Sequence, residues 1–315
     1  MGSSTNLFTF YQLETTNVVL GLLSSGSVVF LAGDLLYVWW VYQSNERRVN
    51  KTMEKGTRPQ LAVLEDEYVP RPKVIERLKG IFQPNKNHSY YHAVCGEHGT
   101  GKTTLTRIVA NEVGKGVIYI DIPSNFNKLG DEFGKAINFT FEEDASLTMQ
   151  LKRKIFRETG DETKRASEVY KTKYGKPPVI VYDNISRIAH KNPEILDILQ
   201  DDAKDNADDR KYIAVFVSSE GSVPRRMQSR SAWSRARAPI EIGDISREES
   251  LNYLINRRGI KTVKEGKIDT TDAEKLYDLV GGRILDLKSV ADEYQQGQSI
   301  EGRISFDILH YVVLL

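Results

Sequence analysis

The sequence predicts an α/β fold in which a parallel β-sheet is covered by helices and followed by a small helical lid. Three observations carry that prediction. Short apolar, β-rich runs alternate with helical stretches from about residue 68 to residue 244, the order that builds a parallel sheet with both faces covered. A glycine-rich loop joins the first of those runs to a helix. After Asp244 the apolar spacing turns helical throughout. The 315 residues, 40% hydrophobic and 28% charged, suit a globular chain of one large domain or two modest ones.

Residues 1–17 form a polar N-terminal tail without a basic residue. Val18 to Tyr42 is apolar over about the ~20 residues that a bilayer-spanning helix needs. Trp39, Trp40 and Tyr42 sit at its end, and Arg47, Arg48, Lys51 and Lys55 follow. This flank predicts a single-pass transmembrane helix with the tail outside and the rest of the chain cytosolic. Asp34 and the Ser24–Ser27 run weaken the span, since a carboxylate costs ~2.5–3.5 kcal/mol near a helix centre. A buried or partner-binding helix and a targeting segment are the other readings. Residues 43–67 are polar and read as a linker.

The core is expected at residues 68–244. Val74 to Phe82 has helical spacing after Pro70 and Pro72. Strands are expected at Tyr90–Cys95, Gly116–Ile122, Pro178–Tyr182, Tyr212–Ser218 and Ala238–Ile242. Helices are expected at Lys102–Val113, from Leu129 into the 150s, and at Thr163–Lys173. Asn192 followed by Pro193 marks another helix start. The lid, residues 245–296, holds helices near 247–256, 272–280 and 283–294. Ser246 with Glu249 and Thr271 with Glu274 each fit a capping box. A C-terminal tail, residues 297–315, ends on YVVLL, which reads as a last strand or helix or as a truncated end.

Charge and cysteine content narrow the function. The formal net charge of +1 gives no global bias toward nucleic acid, although a local patch remains open. Cys95 is the single cysteine, so no internal disulfide or Cys-rich zinc site can form; it ends an apolar run and reads as a small buried residue.

Gly96-Glu97-His98-Gly99-Thr100-Gly101-Lys102-Thr103 matches the P-loop pattern at every fixed position. Glycines let the backbone curl so that its N–H groups converge on phosphate oxygens. Lys102 brings positive charge to the β- and γ-phosphates, and the Thr103 hydroxyl is a ligand for Mg²⁺. The helix behind the loop aims its N-terminal dipole at the same anion. His98 reads as a variable loop residue, and Thr104 as helix packing or an α-phosphate contact. These features point to ATP with Mg²⁺.

Val179 to Asn184, VIVYDN, has the form of a Walker B strand, in which an apolar strand delivers Asp183 to the sheet edge to hold the Mg²⁺ shell. A turn or cap role for Asp183 is the plainer reading. Asn184 stands where hydrolytic proteins of this kind usually carry a glutamate, and an amide orients water without taking its proton. Ser219, after the fourth strand, is a candidate for the γ-phosphate or the attacking water, with loop capping as the alternative. The Arg225, Arg226, Arg230, Arg235, Arg237 stretch reads as a solvated loop, an arginine finger, or a patch for nucleic acid or anionic lipid.

Together GEHGTGKTT, VIVYDN and Val280-Gly281-Gly282-Arg283-Ile284-Leu285-Asp286-Leu287 resemble AAA+-related ATPases, most closely the archaeal-type ATPase and STAND branch. The resemblance spans roughly Tyr68 to Tyr294. It implies that the lid glycines approach the nucleotide and that the entry motif Val69-Pro70-Arg71 contacts the adenine. In that branch the lid motif usually reads Gly-x-Pro; here Arg283 takes its place, as a sensor arginine for the γ-phosphate or a cap of the last helix.

Two functions follow. One is an ATPase, with Lys102, Asp183, Asn184 and Ser219 at the reacting phosphate, whose lid movement remodels or signals to a protein partner, as a homo-oligomer in one version. The other is a membrane-tethered ATP-binding switch with little or no hydrolysis, which Asn184 motivates. Nucleic acid is the less expected partner given the neutral charge, and a small-substrate kinase is less expected still.

Overall fold

A computed structural model of the chain describes Trp40 and residues 43–61, 68–139, 159–264 and 267–298. The expected membrane span, apart from Trp40, lies outside the described residues, as do residues 140–158 and the YVVLL end. Among the described residues no helix is long and apolar enough to cross a membrane. The chain divides into two compact units, residues 1–48 and 49–315. In the first, Trp40 and residues 43–48 are helical. All that follows concerns the second.

Five strands form one parallel sheet: β1 His92–Cys95, β2 Val117–Asp121, β3 Val179–Asp183, β4 Ile213–Val217 and β5 Ile240–Glu241, in the spatial order β2-β3-β4-β1-β5. Each strand was legible as an apolar run. The side chains divide between the two faces with the period of two that a strand imposes. Ile118 and Ile120 join a core with Leu129, Phe133, Tyr170 and Leu196, while Val117 and Tyr119 join a core with Leu78, Phe82, Leu105 and Val109.

Two helices cover that second face: α1 Pro72–Phe82, opened by proline at its start, and α2 Lys102–Val113. The other face carries α3 Leu129–Ile137, α4 Thr159–Tyr174 and α6 Pro193–Asp208, with the short α5 Ser186–Ala189 between β3 and α6. Because every strand is parallel, the loops after β1, β3 and β4 all emerge at one sheet edge. A cleft forms there because β1 connects away to β2 on one side while β5 returns on its other side.

The structure differs from the sequence reading in four places. Residues 49–55, expected within a linker, are helical and bury Val49 and Met53 at 1% exposure each. The chain then hydrogen-bonds along the β2 side, Thr57 N–H to Val117 O at 2.8 Å and Gly116 N–H to Met53 O at 3.0 Å. Two apolar residues one helical turn apart are enough to seat a short helix, but they are easily hidden in a polar stretch. The helix after Leu129 stops at Ile137, where Asn138 takes a left-handed backbone (φ 56°) and closes it.

The lid is not all helix. Beyond α7 Ser222–Gln228, which buries Val223 and Met227 in the main core, it packs its own core of Leu254, Ala273, Leu276, Leu287 and Val290 and comprises α8 Arg247–Asn252, α9 Thr271–Val280 and α10 Ile284–Gln295. A two-stranded antiparallel hairpin, β6 Thr262–Lys264 and β7 Lys267–Asp269, interrupts them. α8 runs on as a π-helical turn, Tyr253–Arg257. The capping box at Ser246 and Glu249 forms with both hydrogen bonds present. The one expected at Thr271 does not: Thr271 is already inside the helix, and its hydroxyl and N–H both go to Asp269 Oδ1, at 2.6 and 3.0 Å.

Candidate nucleotide-binding site

The site is built at the carboxyl ends of β1, β3 and β4. The P-loop leaves β1 and turns into α2 at Gly101, whose φ of 84° lies in the left-handed region. Glycine adopts it without the side-chain penalty other residues incur. The turn presents the unpaired N–H groups of the first turn of α2 to a cavity of 340 Å³. His98, Gly99, Gly101, Lys102, Thr103 and Thr104 line that cavity, with Arg71, Asn184 and Ser219 opposite. Gly96, Glu97, Thr100, Asp183 and Arg283 support this lining without belonging to it.

Lys102 is buried, and its Nζ donates to the Glu97 carbonyl and to Thr100 Oγ1 at 3.2 Å. Burial lowers its proton affinity, and the nearby Asp183 carboxylate works against that. The ammonium is thus held within the loop by neutral acceptors, which a phosphate oxygen can replace.

Asp183 is almost fully buried, at 1% exposure. Three groups address it: the Tyr119 hydroxyl donates to Oδ2 at 2.5 Å, the Asn184 N–H to Oδ1 at 2.8 Å, and the Thr103 hydroxyl to Oδ1 at 3.3 Å. Burial pushes its carboxyl above the usual carboxylate range, while these hydrogen bonds pull the other way. A hydroxyl at the cavity edge and a carboxylate hydrogen-bonded just behind it are hard oxygen donors, and Mg²⁺ is typically bound by one or two carboxylates together with substrate phosphates. Thr103 and Asp183 fit that requirement and would hold the ion.

Asn184 has a positive φ of 59°, and its Nδ2 donates to Asp121 Oδ1 at 2.8 Å. Ser219 lies beyond β4, half-buried against the cavity. Arg71 ties the entry segment to the site by donating to Gly243 O at 2.9 Å and to Thr100 O at 3.4 Å.

Arg283 sits at the start of α10 but makes no side-chain cap there. Its guanidinium instead joins three parts of the molecule: Asp244 Oδ1 at 2.6 Å, the His98 carbonyl at 3.1 Å, and the Glu97 carboxylate. The lid therefore docks on the P-loop through a charge cluster, beside Leu285 N–H to Gly99 O at 3.3 Å.

Sequence reasoning missed two groups. Tyr68, Leu105 and Lys288 line the cavity without having been singled out, beside Val69, Ile284 and Leu285 of the expected entry and lid motifs. Val69, Leu105, Ile284 and Leu285 give the cavity an apolar side to which the entry segment, α2 and the lid each contribute. Tyr119 and Asp121 sit on β2, one strand beyond β3, and act on the site through Asp183 and Asn184. The pairing of Asp121 with Asp183 across parallel strands is a product of the folded register, which no local sequence pattern carries.

The arginine stretch is largely neutralised. Arg226 pairs with Asp197 at 2.7 Å, Arg230 with Asp197 and Asp201 at 3.0 and 2.7 Å, and Arg235 with Asp208, all of them acids of α6. Arg237 lies over the Tyr90 ring at 4.0 Å.

A Walker-type ATPase of Pyrococcus abyssi shares this architecture. It is 14% identical, with a TM-score of 0.56 over 82% of this chain and 77% of that one. Cdc6p from Pyrobaculum aerophilum is also 14% identical, with a TM-score of 0.49 over 79% of this chain and 66% of that one. No curated protein matches the sequence significantly. Residues 68–290, most of the chain and all of the site just described, match the ATPase domain family predominantly from Archaea, and the chain belongs to that family of AAA+-related P-loop ATPases.

Proposed function

We propose that this chain binds ATP with Mg²⁺ at the cavity above α2, hydrolyses it, and uses the attached lid to remodel or signal to a protein partner. One observation carries the reading: Lys102 and Thr103 line one cavity, Thr103 is hydrogen-bonded to Asp183 just behind it, and the lid contributes to its wall. Lys102 would bind the β- and γ-phosphates, and α2 would orient them. Thr103 and Asp183 would hold Mg²⁺, which would supply charge neutralisation to the phosphates. Asn184 and Ser219 would face the attacking water. The lid residues Ile284, Leu285 and Lys288 would close over the base and report its presence to the lid.

Steady-state phosphate release by the full chain tests this, with Lys102→Ala as control. Turnover that disappears in that variant supports the ATPase. Tight ATP binding without turnover at any protein concentration would leave the binding-switch reading, which the amide at 184 favours.

The tether is proposed on sequence grounds alone, from residues 18–42 and their basic flank. Carbonate-resistant pelleting that persists after deletion of that stretch would refute it. A protein partner is preferred to nucleic acid because Arg226, Arg230 and Arg235 are already paired with acids. Strongly salt-dependent DNA binding would reverse the preference.

A further inference from the structure

Asp121 belongs to no P-loop motif, yet it is bound into the site from three directions. Its Oδ1 accepts from Asn184 Nδ2 at 2.8 Å and from Arg187 Nη1 at 3.2 Å, and its Oδ2 accepts from Arg107 Nη2 at 2.6 Å. Strand register sets Asp121 directly beside Asp183.

An ionised carboxylate only accepts hydrogen bonds, so the amide end that faces Asp121 must be the NH₂. The amide is planar, which leaves Oδ1 of Asn184 at its other end. Among the described residues no group donates to that oxygen, and Asn184 lines the cavity with Lys102, Thr103 and Ser219. Without Asp121 the amide loses the acceptor that fixes both its plane and its position, so Oδ1 no longer stays in one alignment toward the cavity.

We propose that Asp121 is a positioning residue for hydrolysis: by fixing the Asn184 amide it holds Oδ1 as the acceptor that aligns the attacking water. Asp121 and Asn184 then divide a task that a single glutamate at 184 would perform. The water oxygen forms its bond to the γ-phosphorus as the bond to the bridging oxygen breaks. ADP leaves with that electron pair, and the water proton ends on the phosphate product, so Asn184 has only to orient. The inference rests on the hydrolytic reading above.

The test compares the full-length wild-type chain with Asp121→Ala and Asp121→Asn. It measures phosphate release, KM, binding of a non-hydrolysable ATP analogue with Mg²⁺, and melting temperature. Asp121→Ala removes the acceptor, and kcat is expected to fall about 10- to 100-fold, the scale of a misaligned reactant. KM and analogue affinity should stay within about threefold.

Asp121→Asn abolishes the charge but keeps an oxygen for the Asn184 amide, because two donors, Asn184 Nδ2 and Arg187 Nη1, meet at the Oδ1 position against one, Arg107 Nη2, at Oδ2, so the oxygen end of the new amide is favoured at Oδ1. It is expected to retain kcat within about threefold of wild type, because the acceptor and not the charge does the positioning. Wild-type kcat in Asp121→Ala overturns the proposal. So does an Asp121→Asn variant as slow as Asp121→Ala, which would mean that charge or proton acceptance matters, or a parallel loss of analogue affinity, which would mean a role in binding or folding. Analogue binding without phosphate release from the wild type defeats the hydrolytic reading itself, and this proposal with it, a result distinct from the other three.

Discussion

Gly282→Ala probes how the lid is joined to the site. Gly282 accepts a hydrogen bond from Ile245 N–H at 2.9 Å, and the two backbones lie so close that a Cβ on Gly282 would stand 2.1 Å from Ile245 O. That is more than an ångström inside contact distance, and the clashing atom is backbone, which cannot rotate away. The turn between α9 and α10 must draw away from Ile245 within the lid. Crowding of this kind costs ~1–3 kcal/mol, and the lost hydrogen bond adds ~1 kcal/mol. At ~2–4 °C per kcal/mol for a chain of this size, the apo protein should melt roughly 5–15 °C lower. Gly282 also sits two and three residues before Ile284 and Leu285, which line the cavity. ATP should therefore bind at least about tenfold more weakly, the equivalent of 1.4 kcal/mol. Thermal melts with and without ATP and Mg²⁺, together with a nucleotide titration, measure both effects. A variant that melts lower yet binds ATP as the wild type does would show that the Gly282–Ile245 contact is structural only and that the lid does not contribute to nucleotide binding.

Two further outcomes follow from burial. Because burial raises the Asp183 pKa above its unfolded value, the folded chain holds the extra proton between the two values, and this group's contribution to stability falls as pH rises through that window. Asp183→Asn should thus melt higher than the apo wild type at neutral pH, lose that advantage at acid pH, and fail to bind Mg²⁺; an equal difference at both pH values would contradict the burial argument. Met53→Ala empties a site of 1% exposure that is not part of the cavity lining and should cost ~2–5 kcal/mol in denaturant unfolding with ATP affinity unchanged, whereas a cost below ~0.5 kcal/mol would show that residues 49–55 are not part of the fold.

The strands were legible because both faces of this sheet are covered, which writes each strand as a continuous apolar run such as VIVYD or IAVFV. The P-loop was legible because its chemistry fixes residue types at fixed spacing within one segment. What sequence concealed depends on distance along the chain. Tyr119 lies 64 residues before the carboxylate it bonds, and Arg283 lies 186 residues after Glu97. No local pattern can state such a pairing. The hairpin at 262–269 was hidden for another reason: its short strands, TVK and KID, each hold a single apolar residue, too few to set a period against the helical signal on either side.

Position 184 shows how backbone geometry can account for a departure from a chemical motif. From sequence, asparagine there is a missing base. In the fold it is also a residue at φ 59°, a region where asparagine is several-fold enriched and a longer side chain is costly. The turn it makes is constrained on both sides: Asp183 must stay buried under Thr103, and Ile185 must bury completely while its N–H reaches Val217 O at 3.1 Å. A chain that reverses this sharply after β3 favours Asn at the one position where a hydrolytic relative would place its base. It then needs an acceptor for the amide, and Asp121 on the neighbouring strand stands at the height where register delivers one. Asn184→Glu should consequently not behave as a simple restoration. It places a longer side chain in a left-handed turn at a cost of order 1–2 kcal/mol and sets a second carboxylate beside Asp121. The expected outcome is a lower melting temperature with no gain in turnover. A faster enzyme of unchanged stability would instead mean that the backbone at 184 imposes no such choice.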